Sequence, residues 1–325
     1  MNFKRVLLNI LISFLLIIPV NIYAYPNYLI PGGDNIGIKV YSNGVYVVGF
    51  YPVNNKYIAK EAGLKIGDLI ISINDEVVEN IDELINKFED SEEKNIKIGY
   101  MRNGLYNTTH LSLSKENNTY KTGIYVKDSI TGIGTLTYIN PDDHSFKALG
   151  HIINDSNTNK EFIIRDGKIF SSKVTGIIKS TNGKPGEKSA KIYSSDIYGT
   201  ITKNEQNGIY GNLEKEINSK DKIEIGSLDE VKIGKAEIIT VINGSNKEKF
   251  EIEILSIDKN SDTKNFLIKI TDKNLLKKTG GIVKGMSGSP IIQDGKIVGA
   301  VTHTVLDDPS KGFGISIIKM LESVE

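Results

Sequence analysis

The stretch GMSGSPIIQDGKIVGAVTH, residues 285–303, decides how the second half of this chain is read. Ser287 stands between Gly285 and Gly288 on what reads as a tight turn, where glycine tolerates backbone angles other residues avoid. The strand Ile291-Ile292, the turn Asp294-Gly295 and a returning strand from Ile297 to Thr302 follow. A hydroxyl on such a turn has the setting of an acyl-transfer nucleophile, with the N–H groups of Gly285 and Ser287 placed to hold an oxyanion. Losing one such donor costs on the order of 3 kcal/mol of transition-state stabilisation.

A serine hydroxyl needs a base, and histidine is the usual one. The chain has four: His110, His144, His151 and His303. His110 falls in a first-domain strand and His144 in the polar loop PDDHS, where both read as surface residues. His303 follows the hairpin by a few residues and is expected to contact substrate or solvent. His151 ends the apolar segment FKALGH, an abrupt strand end where a base can face a cleft, and is the favoured base. A third group, a carboxylate, is expected to orient the imidazole. Spacing alone selects none of the 40 acidic residues.

Around this stretch, residues 119–325 are dominated by short alternating segments, among them GTLTYI, AEIITVI, KFEIEIL and FLIKIT, with Asp166-Gly167 and Asn243-Gly244 at turn positions. The pattern predicts an antiparallel barrel or sandwich. Residues 25–118 form a smaller unit of short strands around one helix, NIDELINKF (residues 80–88), with Asn80 as cap, Glu83 closing a capping box, and Ile81, Leu84, Ile85 and Phe88 on one face. Asn103-Gly104 marks a hairpin. Residues 1–24 open with Lys4 and Arg5 and continue through the apolar run VLLNILISFLLIIPV, the pattern of an export segment. Cleavage after Ala24 and retention as a membrane anchor both remain open, and either exports the rest.

Composition removes other classes. Forty Lys and Arg balance 40 Asp and Glu, so no basic surplus exists for nucleic acid. Cysteine is absent, which excludes thiol nucleophiles and thiolate zinc sites. No HExxH pair or His/Cys cluster occurs, and neither a metal nor a cofactor is expected.

The run AGLKIGDLI at residues 62–70, with Ile73-Asn74 and the capped helix, resembles the central portion of a PDZ domain. The resemblance implies a groove for an extended peptide or chain terminus, with Ile36, Gly37 and Ile38 as carboxylate loop and binding strand and Leu84 on the flanking helix. Residues 285–303 resemble the nucleophile loop and hairpin of chymotrypsin-like serine peptidases. Together with ALGHIINDSNT (residues 148–158), GKPGEK (residues 183–188) and ITDKNLLKKTGGIVK (residues 270–284), the chain resembles the stage IV sporulation protein B (SpoIVB) peptidases.

That resemblance implies a mainly β protein: an N-terminal export or anchor helix (1–24), a small PDZ domain (25–118) and a chymotrypsin-like antiparallel double β-barrel (119–325). It implies a triad of His151, Asp272 and Ser287, with Asp155 and Asp196 as alternative acids because Asp272 lies unusually close to the serine in sequence. It further implies export to the space between the forespore membranes, cleavage of a regulatory membrane protein of an intramembrane protease complex, self-cleavage, and activation of a mother-cell sigma factor. The rival readings are an inactive exported PDZ adaptor and a general envelope quality-control protease.

Overall fold

The computed structural model describes residues 25–90, 95–116, 119–216 and 219–322, so the expected export segment lies outside the described residues. Twelve strands build two barrels: β1 (Asn35–Phe50), β2 (Ile124–Ile139), β3 (Ser145–Ala148), β4 (Asp166–Ile178), β5 (Glu187–Glu205), β6 (Gly208–Leu213), β7 (Gly234–Val241), β8 (Lys247–Ile257), β9 (Phe266–Ile270), β10 (Pro290–Gln293), β11 (Lys296–Thr304) and β12 (Lys311–Ser316). Strands β7 to β12 close the second barrel. Its core follows from period-two alternation: Phe250, Ile252 and Ile254 of β8 point inward between Glu251 and Glu253, against Phe266, Ile268 and Ile270 of β9. Each such buried side chain contributes about 1.5–3 kcal/mol.

The first barrel contains a strand from the other end of the chain. Its order is β2-β3-β6-β5-β4-β1, closed by pairing of β1 with β2. Residues 35–41 of β1 pair on one edge with residues 129–135 of β2, and residues 36–41 pair on the other with residues 166–171 of β4. Ile36 and Ile38 are buried in the barrel core beside Leu136, Phe146 and Ile169. A Cβ on Gly37 would come within 2.5 Å of Ile192.

Ile36, Gly37 and Ile38 therefore cannot form a peptide-receiving edge, which corrects the sequence expectation. A strand bonded on both sides has no free N–H or C=O groups to offer a ligand. Leu84, expected beside the same groove, is also buried at 2% exposure in the PDZ core, among Val45, Val47 and Ile70.

The PDZ unit is thus inserted within the first barrel. Past Tyr41, β1 and β2 run on together, and their far halves, Tyr46 opposite Lys127 through Phe50 opposite Ile124, lie in the PDZ sheet. Leu69–Ile73 pairs with β1 there, followed by Asn95–Arg102 and Leu105–Ser112. Asn103 (φ 51°) and Gly104 (φ 77°) make the expected two-residue hairpin turn. The helix α1 (Ile81–Glu89) packs Leu84 and Phe88 inward, while Ile85 stays 45% exposed. Asn80 Oδ1 accepts the Glu83 N–H as expected; the Glu83 carboxylate, however, accepts from Glu79 N–H and the Asn80 side chain. Asp128 of β2 accepts the Ile81 N–H, tying the helix start to the strand that returns to the barrel.

Candidate active site

The loop around Ser287 is set by what holds its carbonyls. The Lys284 carbonyl accepts Lys188 N–H at 3.0 Å, and the Met286 carbonyl accepts both Ser289 N–H at 2.9 Å and Ser289 Oγ–H at 2.6 Å. In a planar trans peptide the following N–H points opposite to the C=O. Pinning these two carbonyls therefore turns the N–H groups of Gly285 and Ser287 the other way. Among the described residues neither of these N–H groups donates to a protein acceptor.

Two further bonds come from a residue that sequence reading missed. Thr135 of β2 donates its N–H to the Ser287 carbonyl at 3.0 Å and its hydroxyl to the Gly285 carbonyl at 2.7 Å. The only trace of this clamp in the sequence is a threonine among apolar strand residues, which is too common to mark it.

Gly285 and Gly288 have φ of +94° and +92°, where L side chains are strained. At Gly288 space forbids a side chain as well, since a Cβ would lie 2.0 Å from the Thr135 oxygen and 2.5 Å from Leu149 N. Gly288 N–H bonds to the Val301 carbonyl, which fastens the loop to β11.

His151 reaches the same place from the first barrel. Strand β3 ends at Ala148, and Leu149 (φ 71°) and Gly150 (φ 68°) both take left-handed angles, so the chain turns sharply before the imidazole. Ser287 and His151 line one cavity of about 780 Å³, together with His303 of β11. The cavity wall is otherwise strongly apolar, with Ile133, Ile152, Ile282 and Val283 among its residues.

His151 Nδ1 lies 2.9 Å from the Ile152 carbonyl oxygen. A carbonyl only accepts, so this contact places the N–H at Nδ1 and leaves Nε2 as the basic atom. Burial pushes the imidazole below its ordinary pKa, and the Ile152 contact offsets part of that. The ring is therefore neutral at pH 7 and able to take a proton. Ser287 Oγ makes no hydrogen bond to either imidazole among the described residues.

The structure does not bring Asp272 to this cavity. Asp272 is the N-cap of α2 (Lys273–Thr279), its Oδ1 accepting the Leu275 N–H at 2.8 Å. Asp155 is buried in a turn, where it accepts from Asn157 and Thr158 N–H and pairs with Lys127 at 2.9 Å. Asp196 pairs with Lys215 at 2.7 Å. No Asp or Glu is among the described residues lining the cavity. His110 and His144 are exposed on the surface, as expected.

Residues 50–100 match a PDZ domain, and residues 118–321 match the SpoIVB peptidase S55 family. No curated protein matches the chain. Solved structures similar to it include the PDZ domain of the SdrC-like protein from Listeria monocytogenes, at 24% identity over 27% of this chain and 90% of that one, with a TM-score of 0.23. The active form of the Rv3671c protease from M. tuberculosis is 14% identical over 60% of this chain and 73% of that one, with a TM-score of 0.35. The HtrA-type protease AlgW with decapeptide is 11% identical over 64% of this chain and 53% of that one, with a TM-score of 0.33. With the family match covering well over half of its length, this chain belongs to the SpoIVB peptidase S55 family and is a serine endopeptidase carrying a PDZ domain.

Proposed function

We propose that Ser287 is the nucleophile and His151 the base of this peptidase, and that it acts in sporulation. His151 Nε2 takes the Ser287 proton as Oγ attacks a peptide carbonyl. The N–H groups of Gly285 and Ser287 receive the oxyanion. The imidazolium then gives its proton to the leaving amine, and water hydrolyses the acyl-enzyme by the same route in reverse. The observation that carries this reading is the pair of outward-facing amides beside Ser287, in the same cavity as a neutral imidazole.

The substrate proposed is a regulatory membrane protein of an intramembrane protease complex, cleaved in the space between the forespore membranes so that a mother-cell sigma factor is activated. Self-cleavage belongs to the same reading. Its support is membership of the family together with the export pattern of residues 1–24. The PDZ unit is proposed to receive a peptide or chain terminus, by a surface other than residues 36–38.

A fluorophosphonate probe tests the chemistry: the wild type is expected to be labelled and Ser287→Ala not. Mass spectrometry of the incubated protein, wild type beside Ser287→Ala, tests self-cleavage. Fragments appearing equally in both would remove it.

A further inference from the structure

Strand β2 uses only one of its two edges over most of its length. On that edge it pairs with β1, from Asn35 opposite Thr135 to Phe50 opposite Ile124. On the other, β3 pairs with it only from Leu136 onward, because β3 stops at Ala148 and the left-handed pair Leu149-Gly150 turns the chain aside. At Thr135 this second edge is filled: its N–H donates to the Ser287 carbonyl and its carbonyl accepts Leu149 N–H at 3.3 Å. Alternate residues of a strand present N–H and C=O to the same edge, so Ile133, Thr131 and Ser129 face the way Thr135 does. Among the described residues none of these backbone groups bonds to protein.

Beyond a register shift the open edge continues into the PDZ unit. Val47 donates its N–H to the Asp68 carbonyl and accepts Gly67 N–H, both away from β2. Val126, directly opposite Val47, therefore also turns its groups outward, as does Ile124 two positions earlier. Helix α1 starts against this part of the strand, where Ile81 N–H donates to Asp128, and Ile81 and Val126 are half-buried at the margin of one apolar cluster. At the far end Ile133, Gly132 and Ile130 line the cavity that holds Ser287 and His151, and a Cβ on Gly132 would meet nothing within 4 Å. The two charged residues in the run are committed internally, Lys127 to Asp155 and Asp128 to α1. Residues 124–133 contain no proline. The edge thus lacks the free charges and prolines that discourage strand addition.

Resting on the assignment of Ser287 and His151 above, we propose that this single edge, residues 124–133, is a substrate track: the unstructured C-terminal tail of a protein adds to it as an antiparallel strand, its terminus at Ile124 and its scissile bond at Ser287. Antiparallel pairing sets the polarity. The bound tail runs from Ile133 toward Ile124, so the leaving amine belongs to the part held on β2 and the acyl group to the part beyond it. Gly123 (φ 72°) closes the track, its carbonyl turned inward to Tyr51 N–H, and a chain terminus there meets the outward N–H of Ile124. The ten residues from Ile124 to Ile133, at about 3.3 Å each, set the cut about 9 to 12 residues from the end of the substrate.

The test incubates the full-length protein with unstructured peptides of varied sequence, each about 20 residues long so as to span the track at about 3.3 Å per residue, and maps the cuts by mass spectrometry. Cuts are expected to gather about 9 to 12 residues from the C-terminus. A Gly-Ser tail added at that end should move them toward the new terminus by its own length, and the same tail at the N-terminus should leave them in place. Thr131→Pro removes an outward N–H that β1 does not use, so the strand keeps its pairing. Its kcat/KM for the peptides is expected to fall about 5- to 10-fold, the loss of one hydrogen bond.

If Thr131→Pro does not melt cooperatively, the added tails on the wild type decide alone. Cuts that keep their place in the sequence when the C-terminal tail is added would overturn the proposal. So would a folded Thr131→Pro as fast as the wild type, or a wild type that the fluorophosphonate probe labels but that cuts none of the peptides. A folded wild type that is not labelled would overturn the Ser287 assignment itself, a separate result from these.

Discussion

Gly288 shows how little freedom the nucleophile loop has. A methyl group there must displace the Thr135 carbonyl, on the strand beneath Ser287, and the Leu149 amide, on the turn that leads to His151. Gly288→Ala is expected to lower acylation of Ser287 by at least about 100-fold, the size of one lost oxyanion donor, and to reduce the urea midpoint. Thr135→Val removes one hydroxyl donor while keeping the backbone bond to Ser287. It should cost about 1 kcal/mol in urea unfolding, together with a slower maximal acylation rate, and Thr135→Ser should restore both. The pH response follows from the sign of the His151 shift. Its pKa lies below the ordinary 6.5, so the base is free at neutral pH and activity is lost only as pH falls through that depressed value. A rate profile whose acid limb lies above 6.5 would contradict this. Ser287 and the left-handed glycines were legible in the sequence because glycine spacing around a serine is itself the constraint. Thr135 was not, because its role depends on lying 150 positions from Gly285 in sequence but one hydrogen bond away in space.

Among the elements, helix caps were readable and strand edges were not. Asn80 caps α1 as its local sequence predicts, because capping is a contact over three residues. Asp272 makes the same contact at α2, so two substitutions separate stability from chemistry. Asp272→Asn retains the cap and should leave thermal stability nearly unchanged, whereas Asp272→Ala should lose about 1 kcal/mol. Thermal melts of both variants check this, and equal destabilisation by the two would show that the cap is not what Asp272 supplies. Asp166-Gly167 reads as a turn yet begins β4, opposite Tyr41 and Val40 of β1. Pairing with a distant strand overrides local turn preference. Asp294-Gly295, by contrast, does make a two-residue turn, with φ of 52° and 79° between the paired residues Gln293 and Lys296.

Across the molecule, the connectivity of the PDZ unit differs from a simple series of domains. Cutting after residue 118 would remove β1 and with it Ile36, Ile38 and Val40 of the barrel core, a loss comparable with a domain's whole net stability of about 5–15 kcal/mol. Such a truncation is expected to be insoluble or unfolded. Excising residues 43–127 and joining Ser42 to Asp128 through Asn-Gly should instead leave a folded double barrel, since Tyr41 already lies opposite Ser129 as in a hairpin. Cooperative thermal unfolding and probe labelling at Ser287 would verify it, and a folded product from the cut after residue 118 would contradict it. Because β2 runs from the PDZ sheet to Thr135 without a break, the two units are joined by paired strands and not by a flexible linker.

What the amino-acid order determined is whatever acts within a few residues: the glycine-flanked serine, the alternating strands, the capped helix and the PDZ wording at residues 62–70. Only tertiary structure decided that β1 belongs to the peptidase barrel, that Asp272 is committed to a helix end and that His303 meets His151. The physical reason is that strand pairing and side-chain contact join residues far apart along the chain, and no local pattern records which distant edge or ring will be the partner.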